Sequence, residues 1–285
     1  MFARISLTAG SHWQTTSMAE QVESSSRLPV AWILPLAVIL LWEVAARNRW
    51  LPPAQAAAPS KIMRHLFSGL VSGELLTQAG YSVARLAAGV LTGMMLGVLS
   101  GLLLAQSYRA HRLVSPFMQF VAPVPVIVWI PFVIMCFGIG ELSKIALVAL
   151  CVFFLLHIHT FQAVREVRMQ YVELAAIYQK SWWERVRHIF LPFATPAILT
   201  ALRVGLGLGW VVLFVVEYGF SRQREGGLGW FIANARGFGR TEDQFAGVIL
   251  LGLIGFACDT AVARVQTRLV SWSDSTQGPT EWSQP

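Results

Sequence analysis

Charge is what this sequence has least of. Asp, Glu, Lys and Arg make up 13% of its 285 residues, against 55% hydrophobic residues. Soluble domains carry about 25% charged residues, so a water-exposed globular shell over so large an apolar fraction is excluded. Mean hydropathy is +0.57, and lipid is the solvent that resolves the deficit. There are three lysines, Lys61, Lys144 and Lys180, and none follows a glycine. A Walker-type phosphate loop needs Gly-Lys, so this chain supplies no such ATP site. Gly-x-Ser-x-Gly and His-Glu-x-x-His are absent too, as is the chain of intramembrane acids that proton-coupled carriers use. The three cysteines, Cys136, Cys151 and Cys258, lie inside apolar runs without metal-ligand spacing. They read as buried, inert thiols rather than disulfides.

What is present is long apolar runs. A hydrocarbon core of about 30 Å needs about 20 helical residues, and six stretches qualify. They lie at about 29–46, 79–106, 115–138, 143–163, 195–219 and 244–268. An amphipathic stretch, Pro59 to Leu76, with Lys61, Arg64 and Glu74 on its polar face, reads as an interfacial or extramembrane helix. Residues 1–27 form a polar, Ser/Thr-rich tail. Its length and the offset of Arg4 and Arg27 by Glu20 and Glu23 favour a retained first helix over a cleaved signal peptide. The net charge of +7 is spread between apolar segments rather than gathered with aromatics, which argues against nucleic acid. Arg109 and Arg112 after the second segment share one side with Arg165, Arg168, Lys180, Arg185 and Arg187 after the fourth. Basic short loops stay cytoplasmic, so both termini are expected in the cytoplasm, although Arg222, Arg224, Arg236 and Arg240 lie opposite.

Several residues stand out within the segments. Gly89, Gly93, Gly97 and Gly101 recur every four residues and share one helix face. In lipid such a face favours close helix packing. Gly205 and Gly209 repeat the device, while Gly207 and Gly209 either pack or line a path. Pro123, Pro125 and Pro131 interrupt the third segment. Broken backbone in lipid must meet protein or a water-filled cavity, so this segment is either an inner lining or a single kinked helix. Arg85, Arg203 and Glu217 sit within about two turns of segment ends, where snorkelling or an ion pair lowers their cost. Structural pairing is the default for Glu217, and it is also the best candidate for a pore or gate contact. His157 and His159 lack the further ligands a metal needs.

The connection at about 164–194 is the longest basic loop and has a helical pattern. Val172, Ala175, Ala176, Tyr178, Trp182 and Trp183 set small and aromatic residues beside Glu173, Lys180, Glu184 and Arg185. Such a helix either inserts into a groove on a soluble partner or lies on the membrane surface, anchored by its tryptophans. It is expected to stop at Pro192, after Ile189-Phe190-Leu191.

In order along the chain, these residues resemble the permease subunits of type I ABC importers, nearest the taurine, aliphatic sulfonate and nitrate branch. The likeness runs from about Leu51 to Trp272. It is carried by Pro123-Val-Pro125, Trp129-Ile-Pro131, Phe137-Gly-Ile-Gly-Glu-Leu-Ser-Lys144 with Ile145, and Leu191-Pro192. Leu202-Arg-Val-Gly-Leu-Gly-Leu-Gly-Trp210 and Gly227-Leu-Gly-Trp230 complete it.

The resemblance implies an all-α polytopic fold of about six transmembrane helices, the MetI-like permease fold, in a bacterial inner membrane. It implies a homodimer of permeases, two ABC ATPase subunits that use ATP and Mg, and a periplasmic binding protein that delivers substrate. No cofactor is expected on this chain, and it is not expected to be an enzyme. The implied divisions are a tail at 1–27, a first helix and interfacial helix at 28–78, a permease core at 79–270 and a tail at 271–285. Glu173 to Gln179 aligns with the family's EAA motif, the ATPase-coupling helix. The coupling loop then comprises Glu173, Leu174, Ala175, Ala176, Tyr178, Gln179, Trp183, Arg187, Leu191 and Pro192. The translocation path would draw on Pro123, Pro125, Trp129, Pro131, Gly207, Trp210 and Glu217. Glu173 and Ala175 match the motif, whereas Leu174 stands at its second position, where alanine is usual. Gln179 replaces its turn-forming glycine, so the helix is expected to run on or dock differently. Ala122 stands where taurine-type relatives often carry arginine, and Val126 replaces a second proline, which leaves the anion open. Taurine, alkanesulfonate or nitrate lead, ahead of amine or pyrimidine compounds. An ion-coupled secondary carrier and a membrane scaffold without transport are the competing readings.

Overall fold

The computed structural model describes residues 27–50, 52, 56–222 and 225–269, with backbone alone at 27–32. The expected tails, 1–27 and 271–285, lie outside the described residues except for Arg27. Every regular element among the described residues is helical. The chain divides into a unit of residues 1–62 and a larger one of 63–285.

In the first unit, α1 (Arg27–Arg47) has 21 residues, about 30 Å at 1.5 Å per residue, and coincides with the first apolar segment. Its last turns are tied by Glu43, which accepts from Arg47 at 2.5 Å and from the Ser60 backbone N–H at 2.9 Å. Helix α2 (Pro59–Val71) begins on a proline, whose missing N–H costs nothing in a first turn. It ends before Gly73, whose φ of +80° is a left-handed break, and α3 (Glu74–Gln106) starts at once. The amphipathic stretch therefore stops short of Leu76, and the second segment begins at Glu74 rather than 79.

The larger unit is built on α3 and α6 (Glu141–Arg165). The glycine ladder of α3 faces α6 in step. A Cβ on Gly89 would meet Val148 at 2.6 Å, and one on Gly93 would meet the Ala149 carbonyl at 2.5 Å. One on Gly97 would meet the Phe153 carbonyl at 2.8 Å, and one on Gly101 the Thr160 Cβ at 2.8 Å. Val148, Val152, Leu156 and Thr160 repeat every four residues on α6, so the two backbones lie in direct contact over four turns. Dispersion between close backbones is the attraction available in lipid.

The third segment is broken. Helix α4 (Tyr108–Val121) turns through Pro123 and Pro125 and a 3-10 turn (Val126–Trp129) into α5 (Ile130–Phe137), with a bend of 96°. The single kinked helix is thereby excluded. Pro131, however, sits in the first turn of α5, where a proline starts a helix rather than interrupting one. Ile130 joins Leu147, Cys151, Val212 and Val216 in a buried cluster against which Trp129, Val133 and Ile134 pack. Of the three thiols only Cys151 is buried. Cys136 points outward from the short α5, and Cys258 is half-buried.

After α6 come α7 (Met169–Ile177), the one-turn α8 (Trp182–Arg185), a π turn (Val186–Phe190) and α9 (Leu191–Phe220). Pro192 does not stop the helix: residues 182–220 are continuous. The π turn widens the backbone, with the Leu191 N–H reaching back five residues to Val186. That relieves the clash and the lost donor that proline imposes. Helices α10 (Leu228–Gly237) and α11 (Thr241–Leu269) follow. Four described stretches, 74–106, 141–165, 182–220 and 241–269, are long and apolar enough to cross a membrane, and the bent α4–α5 pair adds a fifth if counted as one.

Candidate functional site: a coupling surface and a buried charge cluster

Helix α7 is short because its C-terminus is closed by its own backbone. The Lys180 N–H donates to the Ala175 carbonyl at 2.9 Å and the Gln179 N–H to Ala176 at 3.0 Å. This is the paired-bond closure that normally has glycine at the left-handed position. Here Gln179 takes that position, with φ +50°. The turn survives the loss of glycine, and the expected continuation of the helix does not occur. Ser181 then caps α8: its Oγ accepts from the Glu184 N–H at 3.3 Å while its own N–H donates to the Glu184 carboxylate at 2.8 Å. The Ser-x-x-Glu pattern of this box is legible in the sequence at 181–184.

The resulting surface is apolar and open. Leu174, Ile177, Tyr178 and Trp183 are all exposed, Ile177 by 76% and Tyr178 by 70%, while Ala175 is buried. Glu173, Ala176, Gln179 and Arg187 are also exposed. Leu191 and Pro192 stand above, at the start of α9. The indoles of Trp182 and Trp183 lie 6.2 Å apart.

The candidate path residues do not form one site. Pro123 and Pro125 line an apolar cavity of about 350 Å³ with Leu208, Val211 and Val212. Pro131 and Gly207 are exposed, and a Cβ at Gly207 would meet nothing within 4 Å. Trp129 is half-buried, its indole N–H without a partner among the described residues, while Trp210 is buried and donates to the Leu251 carbonyl at 3.2 Å.

Glu217 is 1% exposed and belongs to a charge cluster. It accepts from Arg85 at 2.6 Å, from Ser82 at 2.7 Å and from the Gly229 N–H at 3.0 Å. Arg85, itself 3% exposed, also donates to Glu141 at 2.5 and 2.6 Å and to the Glu225 and Gly226 carbonyls. Lys144, 1% exposed, pairs with Glu225 at 2.6 Å. Ser82 and Gln78 hold the loop by accepting from the Leu228 and Gly227 N–H groups. Gly226 and Gly227 have φ of +61° and +109°, and a Cβ on Gly227 would lie 2.6 Å from the Glu217 carboxyl carbon. The motif segments 137–144 and 227–230 thus converge on Arg85 and Glu217. Glu225 lies in the loop, outside the spans. Partial burial pushes its carboxyl up, but the Lys144 hydrogen bond and charge, with Arg222, outweigh this and hold it below the usual carboxylate value. Arg203 pairs separately with Asp259, at 2.6 and 2.7 Å. His157 is buried against Ser100 at 2.9 Å, and no group of metal-ligating side chains occurs among the described residues.

Residues 89–273 match the family described as binding-protein-dependent transport system inner membrane component. A Bacillus subtilis (strain 168) protein named as an aliphatic sulfonates transport permease, SsuC, is 32% identical over 86% of this chain and 88% of its own. The Escherichia coli (strain K12) taurine transport system permease protein TauC is 27% identical over 85% and 89%. The fold is that of the MetNI methionine ABC transporter in its inward-facing conformations (TM-score 0.59, 19% identity, 69% of this chain and 96% of that one). A bacterial ABC transporter that imports the acidic polysaccharide alginate also shares it (TM-score 0.63, 14% identity, 89% and 97%). The chain belongs to the binding-protein-dependent transport inner-membrane family, as a multi-pass permease subunit of an ABC importer rather than an enzyme.

Proposed function

We propose that two copies of this chain form the translocation path for a small organic oxyanion of the alkanesulfonate or taurine type. A periplasmic binding protein delivers the solute, and two ATPase subunits, which bind ATP and Mg, dock beneath. Both termini are cytoplasmic, 79–270 is the permease core, and the loop at 164–194 meets the ATPase. The observation that carries the coupling role is the exposed Leu174, Ile177 and Tyr178 on α7, closed at its C-terminus by backbone hydrogen bonds, beside the exposed Trp183 on α8, capped at its N-terminus by Ser181. A rigid apolar projection of this kind suits a groove on a partner. Closure of the ATPases would push α7 and α8, and the continuous backbone from 182 to 220 would carry that motion into α9. Glu217 would act at the outer gate by holding α9 to α3 and the 221–227 loop.

The relatives' names support the substrate class, two of them naming aliphatic sulfonates at 32% and 31% identity. Relatives named for bicarbonate and for formylaminopyrimidine are 26% and 25% identical. Among the described residues Ala122 and the proline-lined cavity present no cation, so an anion passing there would be held by neutral donors and backbone dipoles. The test is uptake by the complete transporter in proteoliposomes, with alkanesulfonate, taurine, nitrate and bicarbonate in competition. Alkanesulfonate uptake that nitrate and bicarbonate fail to compete supports the reading, and transport of either inorganic anion alone overturns the substrate class. Glu173→Lys with Tyr178→Ala should leave the protein folded and ATP hydrolysis running while uptake collapses. Unchanged uptake in that variant would sink the coupling role.

A further inference from the structure

A cavity of about 650 Å³ opens where two spans end and a third begins, on the coupling-loop side of the larger unit. Gln106 closes α3, Ser107 and Tyr108 turn into α4, Arg165 closes α6, and Trp182 and Arg185 bound α8. No acidic side chain among the described residues lines the cavity. Among the described residues neither arginine has a carboxylate partner. Arg165 lies over the Phe161 ring at 5.6 Å, and the Arg185 Nε is buried with no acceptor. Arg85 and Arg203, by contrast, are each saturated by carboxylates. A buried guanidinium donor left unsatisfied is costly, so an acceptor beyond the described residues is called for.

We infer that this cavity binds the phosphate of an anionic phospholipid headgroup. Two guanidinium forks suit the oxygens of a phosphate, and Gln106, Ser107 and Tyr108 add neutral donors. The ends of α3 and α6 set the depth: where apolar spans stop, the headgroup layer begins. Tyr108 and Trp182, both exposed, are the aromatic types that settle at that depth. The volume exceeds that of a phosphate and leaves room for glycerol and the first acyl carbons. Basic pockets between helices at this level hold anionic headgroups. Because α8 supplies Arg185 while α3 and α6 supply Gln106 and Arg165, a bound lipid ties the coupling segment to the helix seam. That consequence rests on the proposed docking role; the site itself does not.

The test uses the full-length protein in phosphatidylcholine nanodiscs with and without phosphatidylglycerol, followed by native mass spectrometry of retained lipid. Wild type should retain phosphatidylglycerol, and Arg165→Gln with Arg185→Gln should weaken retention by about tenfold or more. Ala105→Trp, which fills the cavity without touching its charge, should do the same. Arg112→Gln, outside the cavity, should retain lipid. Wild-type retention in both cavity variants, with unfolding midpoints unchanged in pure phosphatidylcholine, would overturn the proposal. Saturation by inorganic phosphate with no preference for phosphatidylglycerol would assign the site to a soluble phosphate compound and overturn the lipid.

Discussion

The two ends of α6 are opposites. Its first turn enters a cluster in which Arg85, Lys144 and Glu217 are nearly sealed from solvent and every charge has a partner. Its last residue, Arg165, faces a cavity without a carboxylate, next to a surface of exposed Leu174, Ile177, Tyr178 and Trp183. One end is complete within the chain. The arginines at the other have no carboxylate partner among the described residues, and the proposed lipid and ATPase would complete that end. Substitutions at the first end should therefore cost stability, and those at the second should cost activity while the fold stays intact.

The largest expected effect is Arg85→Met. It leaves Glu217 buried and uncompensated, and breaking a buried ion pair from one side costs about 3–5 kcal/mol. A steep fall in the yield and thermal midpoint of the detergent-solubilised protein checks it. Glu217→Gln keeps acceptors for Ser82 and Gly229 and should cost less. If it lowers uptake by more than its loss of folded protein explains, the gate role stands. If uptake follows folded yield alone, Glu217 is structural. Gly93→Val comes next. Its side chain would drive into the Ala149 carbonyl, which is helix backbone and cannot swing aside, so α3 and α6 must part at a cost of about 3 kcal/mol. The same change at Gly207, which faces open space, should leave the midpoint in place and gives the control.

These contrasts show what could be read from the sequence. The glycine ladder announced itself because spacing of four is a helix face. The helix it packs against was hidden, since Val148, Val152, Leu156 and Thr160 look like any apolar run. Arg85 and Glu217 could be marked as costly in lipid, but their pairing across 132 positions has no local signal. For the same reason Glu225 gives no signal, and Lys144 is legible as part of a motif but not as the partner of Glu225. Prolines misled in one direction. Pro123 and Pro125 do break the chain, whereas Pro131 starts a helix and Pro192 is absorbed by a π turn; residue type alone does not say which turn a proline occupies.

A smaller effect tests the sealed end through pH. Because its folded value is depressed, the Glu225 carboxylate contributes stability in full above the ordinary glutamate value of about 4.3. That contribution drains away as pH falls through the lower folded value. Glu225→Gln should lower the midpoint near neutrality by the equivalent of about 1.5–3 kcal/mol, the worth of a hydrogen bond to a charged group. The gap between wild type and variant should narrow on acidification; a gap independent of pH would show that Lys144 does not depend on this partner.

The smallest effect sharpens the open end. Gln179 holds φ +50° against a preference worth about 1–2 kcal/mol, because Lys180 and Gln179 both donate back into α7. Glycine removes that strain but gives the unfolded chain more freedom, about 0.4–1 kcal/mol. Gln179→Gly should therefore stabilise by no more than about 1.5 kcal/mol, visible as a slight rise in midpoint. Its amide side chain makes no hydrogen bond among the described residues, so removing it should leave ATP-driven uptake at the wild-type rate. A drop in uptake with stability unchanged would instead place the Gln179 side chain in the contact with the ATPase. The left-handed turn would then be a device for presenting that side chain, and the surface that completes this end of α6 would extend one residue beyond the apolar face of α7.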